Sequence, residues 1–267
     1  MKKLSRLIPL FLFLLAFAAR MIPGPRTIDD SFITFRYTQN ILAGEGFVYN
    51  PGEPVMGTTT PLYTFVMVVL GALRGGTEAP FPEIAMLVNA IADGLTAVLL
   101  YLLGLYFKQK LVGVGAALCW AVASHSVTFA IGGLETSLVV LLLVGLSYFY
   151  LTDRIPLSAF LASLALITRP DTILLVGLIA IDYFIRVIRK QVKWEWLAML
   201  ALVLLPLLWY GYATLQFGTP IPHSVQAKLG AYRLPPEAAL VRLLQHYTTP
   251  FMADRWLGAA VAVGSGL

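Results

Sequence analysis

Along this chain, apolar residues come in long runs separated by short polar stretches. Runs near the 20 residues a helix needs to cross the bilayer core occupy roughly 5–23, 81–107, 111–131, 134–151 and 194–215. A further apolar stretch over 156–189 is interrupted by Thr168-Arg169-Pro170-Asp171, which predicts two helices meeting at a polar apex. Residues 61–74 are apolar but short for a span. They predict a short helix, a re-entrant segment or a helix lying in the interface. The expected fold class is all-α: a polytopic transmembrane helical bundle.

The segment between the first two runs has a pattern of its own. After Asp29-Asp30, the residues Phe32, Ile33, Phe35, Tyr37, Ile41 and Leu42 alternate with Thr34, Arg36, Gln39 and Asn40. This predicts an amphipathic juxtamembrane helix over Ser31 to Ala43, started by acidic residues and stopped at Gly44. Turn chemistry follows in Gly44-Glu45-Gly46 and Asn50-Pro51-Gly52. Thr60-Pro61 then reads as an N-cap with proline in the first turn of the next helix.

Composition supports the bilayer reading. Hydrophobic residues make up 58% of the 267 and charged residues 12%, against about 25% charged in a soluble domain. An ion costs roughly 2.5 to 3.5 kcal/mol at the centre of a membrane helix, so charge is confined to the loops. The net charge of +5 therefore signals topology and not nucleic acid. Lys2, Lys3, Arg6, Lys108, Lys110, Arg154, Arg186, Arg189, Lys190 and Lys193 flank apolar runs and are expected on the cytoplasmic side. The opposite face then receives the first extracytoplasmic loop 24–60, then 131–136, 168–171 and the outer loop 216–236. The N-terminus imitates a secretory signal peptide. Its apolar run continues through Met21-Ile22 and more spans follow, so a retained signal anchor is expected. The lone Cys119 excludes an internal disulfide, and His125 and His246 are isolated. Walker, GxSxG and HExxH patterns are absent from the sequence.

The polar residues of interest all fall in loops of the predicted outer face. Asp29-Asp30 fits a helix N-terminus. It also fits a general base, because adjacent carboxylates disfavour double ionisation and one is suited to take a proton from a hydroxyl. Glu135 sits at the mouth of a helix pair as either a cap or a site acid. Arg169 and Asp171 flank Pro170 as an ion pair or, alternatively, Arg169 faces an anion. The loop from Phe217 to Ser224, with His223, and the following Lys228 offer donors without nearby acids. Such a set suits a reaction with one lipid-borne reactant and a phosphate leaving group, which needs a base for the attacking hydroxyl and cations for the phosphate. A transporter or lipid flippase also gathers polar groups within helices, but only Asp93 and Asp182 stand out as ionisable mid-span residues. A non-catalytic membrane subunit is the third reading.

Six stretches together carry a resemblance. They are Asp29 to Tyr37, Gly44 to Val55, and Gly57-Thr58-Thr59-Thr60-Pro61-Leu62, followed by Gly133-Leu134-Glu135-Thr136, Arg169-Pro170-Asp171 and Gly218 to His223 through Lys228. In this order they resemble the C-type membrane glycosyltransferases, nearest the terminal β-arabinofuranosyltransferases of mycobacteria. The resemblance covers about the first 230 residues. It implies a polyprenyl-phosphate sugar donor, a glycan, lipid or protein acceptor outside the cytoplasm, and inversion at the anomeric carbon. It also implies a bacterial cytoplasmic membrane with the site on its outer face. Asp29 or Asp30 would be the base, and Arg169, Lys228 and His223 would hold the donor phosphate. Glu135 and Asp171 would shape the site or bind a metal, a divalent cation being the candidate. Relatives carry Asn where this chain has His223, which sets position 223 apart. They are also about twice as long, so residues 1–267 are expected to be a truncated module without the later helices and any soluble domain.

Overall fold

The computed structural model describes residues 2–225 together with 227, 240 and 241. Ten α-helices and no strand occur among the described residues, as a membrane helical bundle requires. They are α1 (Lys2–Met21), α2 (Ser31–Leu42), α3 (Pro61–Arg74), α4 (Phe81–Tyr106), α5 (Lys110–Val122), α6 (Ser124–Ile131), α7 (Thr136–Leu151), α8 (Ile155–Thr168), α9 (Ile173–Ile188) and α10 (Trp196–Phe217). By length and composition α4 and α10 are each sufficient to cross a membrane, and α5 and α6 reach that length and hydropathy only as a bent pair, the pattern of a broken span or a re-entrant loop. The apolar stretch 156–189 divides into α8 and α9 around a 3-10 turn at Pro170–Thr172, the expected polar apex.

The run 111–131 departs from the single helix its hydrophobicity suggests. It breaks at Ala123, whose extended backbone bends α5 from α6 by 49°. A break strands the last carbonyls of the first helix, and Arg20 satisfies them. Its guanidinium donates to the carbonyls of Trp120 (3.0 Å) and Ala121 and to the Ser126 hydroxyl, while Nε meets Asp93 Oδ2 at 2.8 Å. Arg20 and Asp93 are fully buried. One cation thereby ties α1, α4 and the α5/α6 break together, and the mid-span acid Asp93 is a packing element.

Small residues set the close helix contacts. Leu12, Ala16, Ala97, Tyr101, Ala117 and Ala121 join α1, α4 and α5. Leu142, Leu146, Ala162, Ala165 and Val176 join α7, α8 and α9. Such alanine-rich seams allow near approach where lipid offers no hydrophobic drive.

The short helix α3 lies beside α2 and runs in the same direction. Thr34 meets Thr60 just before α3. Leu42 sits beside Gly71 near its far end, and Gln39 donates to the Thr77 carbonyl just beyond it. The Phe81 ring at the start of α4 stacks on Phe35 at 5.9 Å. The Phe81 ring also lies against Gly71, so α4 starts beside the far end of α3 and runs back along it until Tyr63 of α3 and Asn89 of α4 both meet the loop after α6. With α3 not crossing, helices α4 to α10 alternate so that the loops before α2 and α3 and after α6, α8 and α10 gather at one end. At the opposite end the α7–α8 turn meets α9 through Arg186 and Asp153 (3.2 Å).

Candidate active site

The N-terminal approach to α2 is held against the loop between α6 and α7. Arg26 N–H donates to Ile131 O and Ile28 N–H to Gly132 O, both at 2.9 Å. A Cβ at Gly132 would lie 2.5 Å from Ile28 Cδ1, so glycine permits this approach. Asn89 of α4 fixes the same loop by donating to the carbonyls of Ala130 (3.0 Å) and Leu134 (2.8 Å). These contacts bring Asp30 and Glu135 to one cavity. Both sit at N-cap positions, yet neither carboxylate makes a capping hydrogen bond. The simple helix-cap role is therefore unfilled at both, and the carboxylates remain free for other partners.

Glu135, nearly buried, accepts from Arg169 Nη1 at 2.9 Å. Arg169 is presented on extended backbone by the Pro170 turn, whose Thr172 hydroxyl donates to the Arg169 carbonyl at 2.7 Å. Its other edge forms a fork with Asp171: Nε to Oδ1 at 3.1 Å and Nη2 to Oδ2 at 2.8 Å. Three of the roughly five donors a guanidinium carries thus meet carboxylates. The Asp171 hydrogen bond, with the Glu135 charge behind it, raises the Arg169 pKa above its ordinary value despite partial burial.

The segment after the amphipathic helix forms the next wall. Tyr37, buried in α2, donates to Val55 O and accepts from Gly57 N–H, both at 2.7 Å. Burial raises its pKa, so the phenol stays protonated for the bond to Val55. Beyond it, Thr58 and Thr60 hydroxyls lie 3.1 Å apart, and Thr34 lies 3.4 Å from Thr60. The expected side-chain cap by Thr60 does not form, because this hydroxyl turns to the threonine cluster. Proline does occupy the first turn of α3 as expected. The segment after α10 docks last: His223 N–H donates to Met56 O (2.9 Å), and Met56 N–H donates to His223 Nδ1 (3.2 Å).

The resulting cavity, about 420 Å³, is lined by Asp30, Thr58–Thr60, Glu135, Thr136, Arg169 and Ser224 among others. Of the residues singled out in the sequence, Asp30, Glu135 and Arg169 share it, and Asp171 joins through Arg169. Asp29 precedes Asp30 but does not line the cavity, and His223 stands beside Ser224 with its imidazole on Met56. Lys228 lies outside the described residues. Among the described residues no group of three acidic, histidine or cysteine side chains is arranged to hold a metal; Glu135 and Asp171 flank a guanidinium instead. Asp182 receives the Tyr150 hydroxyl, away from this cavity. Sequence reading missed the hydroxyls, because serine and threonine are too common to signal a site until a fold gathers them.

A larger apolar groove of about 540 Å³ runs between α3, α8 and α10, lined by Phe47, Leu62, Phe65, Ile167, Leu208 and Trp209. A small crevice of about 10 Å³ lies between the two, sharing Thr58 and Thr59 with the cavity and Pro61 and Trp209 with the groove. A polar, carboxylate-bearing chamber thus adjoins an apolar trough at the same end of the bundle.

No family model matches the chain, and no solved structure matches it. The chain is similar to the curated terminal beta-(1->2)-arabinofuranosyltransferase of Mycobacterium tuberculosis (strain ATCC 25618 / H37Rv), with 27% identity over 219 residues. The match covers 75% of this chain and 34% of that enzyme, so the chain spans about a third of the length of the curated relative it matches. At that distance, the chain is similar to a glycosyltransferase over three quarters of its own length.

Proposed function

We propose that this chain is the helical substrate-binding part of a membrane glycosyltransferase that takes a sugar from a polyprenyl-phosphate donor. The observation that carries this reading is that the Asp30–Glu135–Arg169 cavity lies next to the apolar groove. A donor made of a sugar, a phosphate and an isoprenoid chain needs both environments at one place. The groove would take the chain and the cavity the sugar.

In this scheme Asp30, with Asp29 beside it, is the base. It takes the proton from the acceptor hydroxyl as that oxygen bonds to the anomeric carbon from the face opposite the phosphate. The bond from that carbon to the phosphate oxygen breaks, its electron pair leaves with the phosphate, and configuration inverts. The uncommitted N–H groups of Arg169, together with Lys228, would meet the leaving phosphate. Glu135 and Asp171 hold Arg169 in place. The acceptor is a glycan, lipid or protein outside the cytoplasm.

The test is Asp30→Asn and Asp29→Asn in the full-length protein, with transfer measured from polyprenyl-phosphate sugars. Because Asp30 makes no capping bond, Asn leaves α2 intact. Turnover should fall about 10²-fold or more, as for a lost general base, with the larger loss at Asp30. Two folded variants with normal turnover would sink the assignment.

A further inference from the structure

The segment after α10 meets the cavity in an unusual way. His223 forms two bonds to one residue: its N–H donates to Met56 O, and its Nδ1 accepts from Met56 N–H. The imidazole stands in for a backbone carbonyl, completing what resembles one rung of strand pairing. Nδ1 can accept only when it carries no proton, so the ring proton resides on Nε2. The partner segment is itself rigid, since the Tyr37 hydroxyl bonds Val55 and Gly57 on either side of Met56.

The residue that this clasp delivers is Ser224. It lines the cavity with Asp30, Glu135 and the threonines, and its hydroxyl is shielded from solvent with no hydrogen-bond partner among the described residues. A buried hydroxyl of this kind calls for an explanation, and its residue lines the chamber. The surrounding groups are the Asp30 and Glu135 carboxylates and the Thr58, Thr59 and Thr60 hydroxyls. Carboxylates repel a phosphate but accept from a ligand that brings its own O–H donors. A sugar ring has that chemistry.

We propose that His223 is a positioning residue that clamps the segment 222–225 to Met56, and that the clamp holds the Ser224 hydroxyl as a ligand for a hydroxyl of the transferred sugar. The second half rests on the glycosyl-transfer reading, whereas the first stands on the two hydrogen bonds to Met56 alone. The experiment has two arms on the full-length protein in detergent, using His223→Asn, His223→Phe and Ser224→Ala. Asn keeps a side-chain acceptor for Met56 N–H, and Phe keeps size without one.

In the first arm, hydrogen–deuterium exchange of the Met56 amide is followed by mass spectrometry. Exchange should quicken about tenfold or more in His223→Phe, be rescued in His223→Asn, and be unchanged in Ser224→Ala. In the second, a short-chain polyprenyl-phosphoryl arabinofuranose is the donor probe. Ser224→Ala should raise its KM about three- to tenfold, the loss of one neutral hydrogen bond, with kcat little altered. His223→Phe should match that effect and His223→Asn should relieve it. Unchanged Met56 exchange in His223→Phe would overturn the clamp. Loss of turnover in His223→Asn with Met56 still protected would make His223 a substrate contact, and an unmoved KM in Ser224→Ala would remove Ser224 as a ligand. If the unaltered protein uses no sugar donor while Met56 exchange follows His223 as stated, glycosyl transfer and the sugar ligand fail but the clamp stands.

Discussion

Arg169 shows how a loop cation is shaped by its neighbours. Its fork with Asp171 and its contact with Glu135 make it rigid before any ligand arrives. An arginine so held presents its remaining donors in a fixed plane, which lysine cannot reproduce. Replacing Arg169 with Ala should weaken use of a polyprenyl-phosphate donor by about 10- to 100-fold, from a lost bond to a charged group of roughly 1.5 to 3 kcal/mol. It would also leave the nearly buried Glu135 without its cation. Arg169→Lys keeps charge but loses the fork and should fall between Ala and the unaltered protein. Competition by the uncharged polyprenol separates phosphate recognition from chain packing. An Ala variant with unaltered preference for the phosphorylated lipid would remove Arg169 from the phosphate. At this scale the carboxylates and the arginine were legible in sequence as rare charges in an apolar chain. Thr58, Thr60 and Ser224 were not, because nothing in their local pattern separates them from turn residues.

Between elements, glycine spacing looks alike in sequence and differs in space. Gly113 and Gly115 both lie on α5 but, two residues apart, face opposite sides, and only Gly113 is at a contact. A Cβ there would lie 2.9 Å from Gly104 Cα of α4 and from the Tyr101 carbonyl, all backbone that cannot swing aside. Around Gly115 the space is open. Gly113→Ala should therefore cost about 1 to 3 kcal/mol through overpacking. Gly115→Ala should be neutral or stabilise the helix, by up to about 1 kcal/mol from propensity. Thermal unfolding in detergent, comparing the two, checks this; equal shifts would contradict the contact. The α5/α6 break belongs to the same scale. The apolar run resumes at Val127 after Ser124-His125-Ser126, so length and composition read one span, and the bend persists because Arg20 of a distant helix supplies donors to the stranded carbonyls.

For the whole molecule, the side-by-side packing of α2 and α3 sets the sidedness of everything after it. If α3 crossed, the basic clusters near Lys108, Arg154 and Arg189 would alternate out of phase with Lys2 and Lys3. With α3 lying along α2, all fall at the end away from the cavity. In a Cys119→Ser background, a cysteine at Glu45 should react with an impermeant thiol reagent in intact cells, and one at Lys190 only after lysis. Labelling of Glu45→Cys only after lysis would reverse the orientation and remove the extracytoplasmic site. The amino-acid sequence by itself determined the helical membrane class, the amphipathic helix after Asp29-Asp30, the apex at Arg169-Pro170-Asp171 and the confinement of polar chemistry to a few loops. These follow from local rules: charge is costly in hydrocarbon, and apolar runs must satisfy their backbone within a helix. Only the tertiary structure decided that Asp30, Glu135, Arg169 and Ser224 share one chamber, that α3 lies along α2, and that His223 grips Met56. Those outcomes depend on contacts between residues as far apart as Met56 and His223, whose energies no local pattern of apolar and polar positions records.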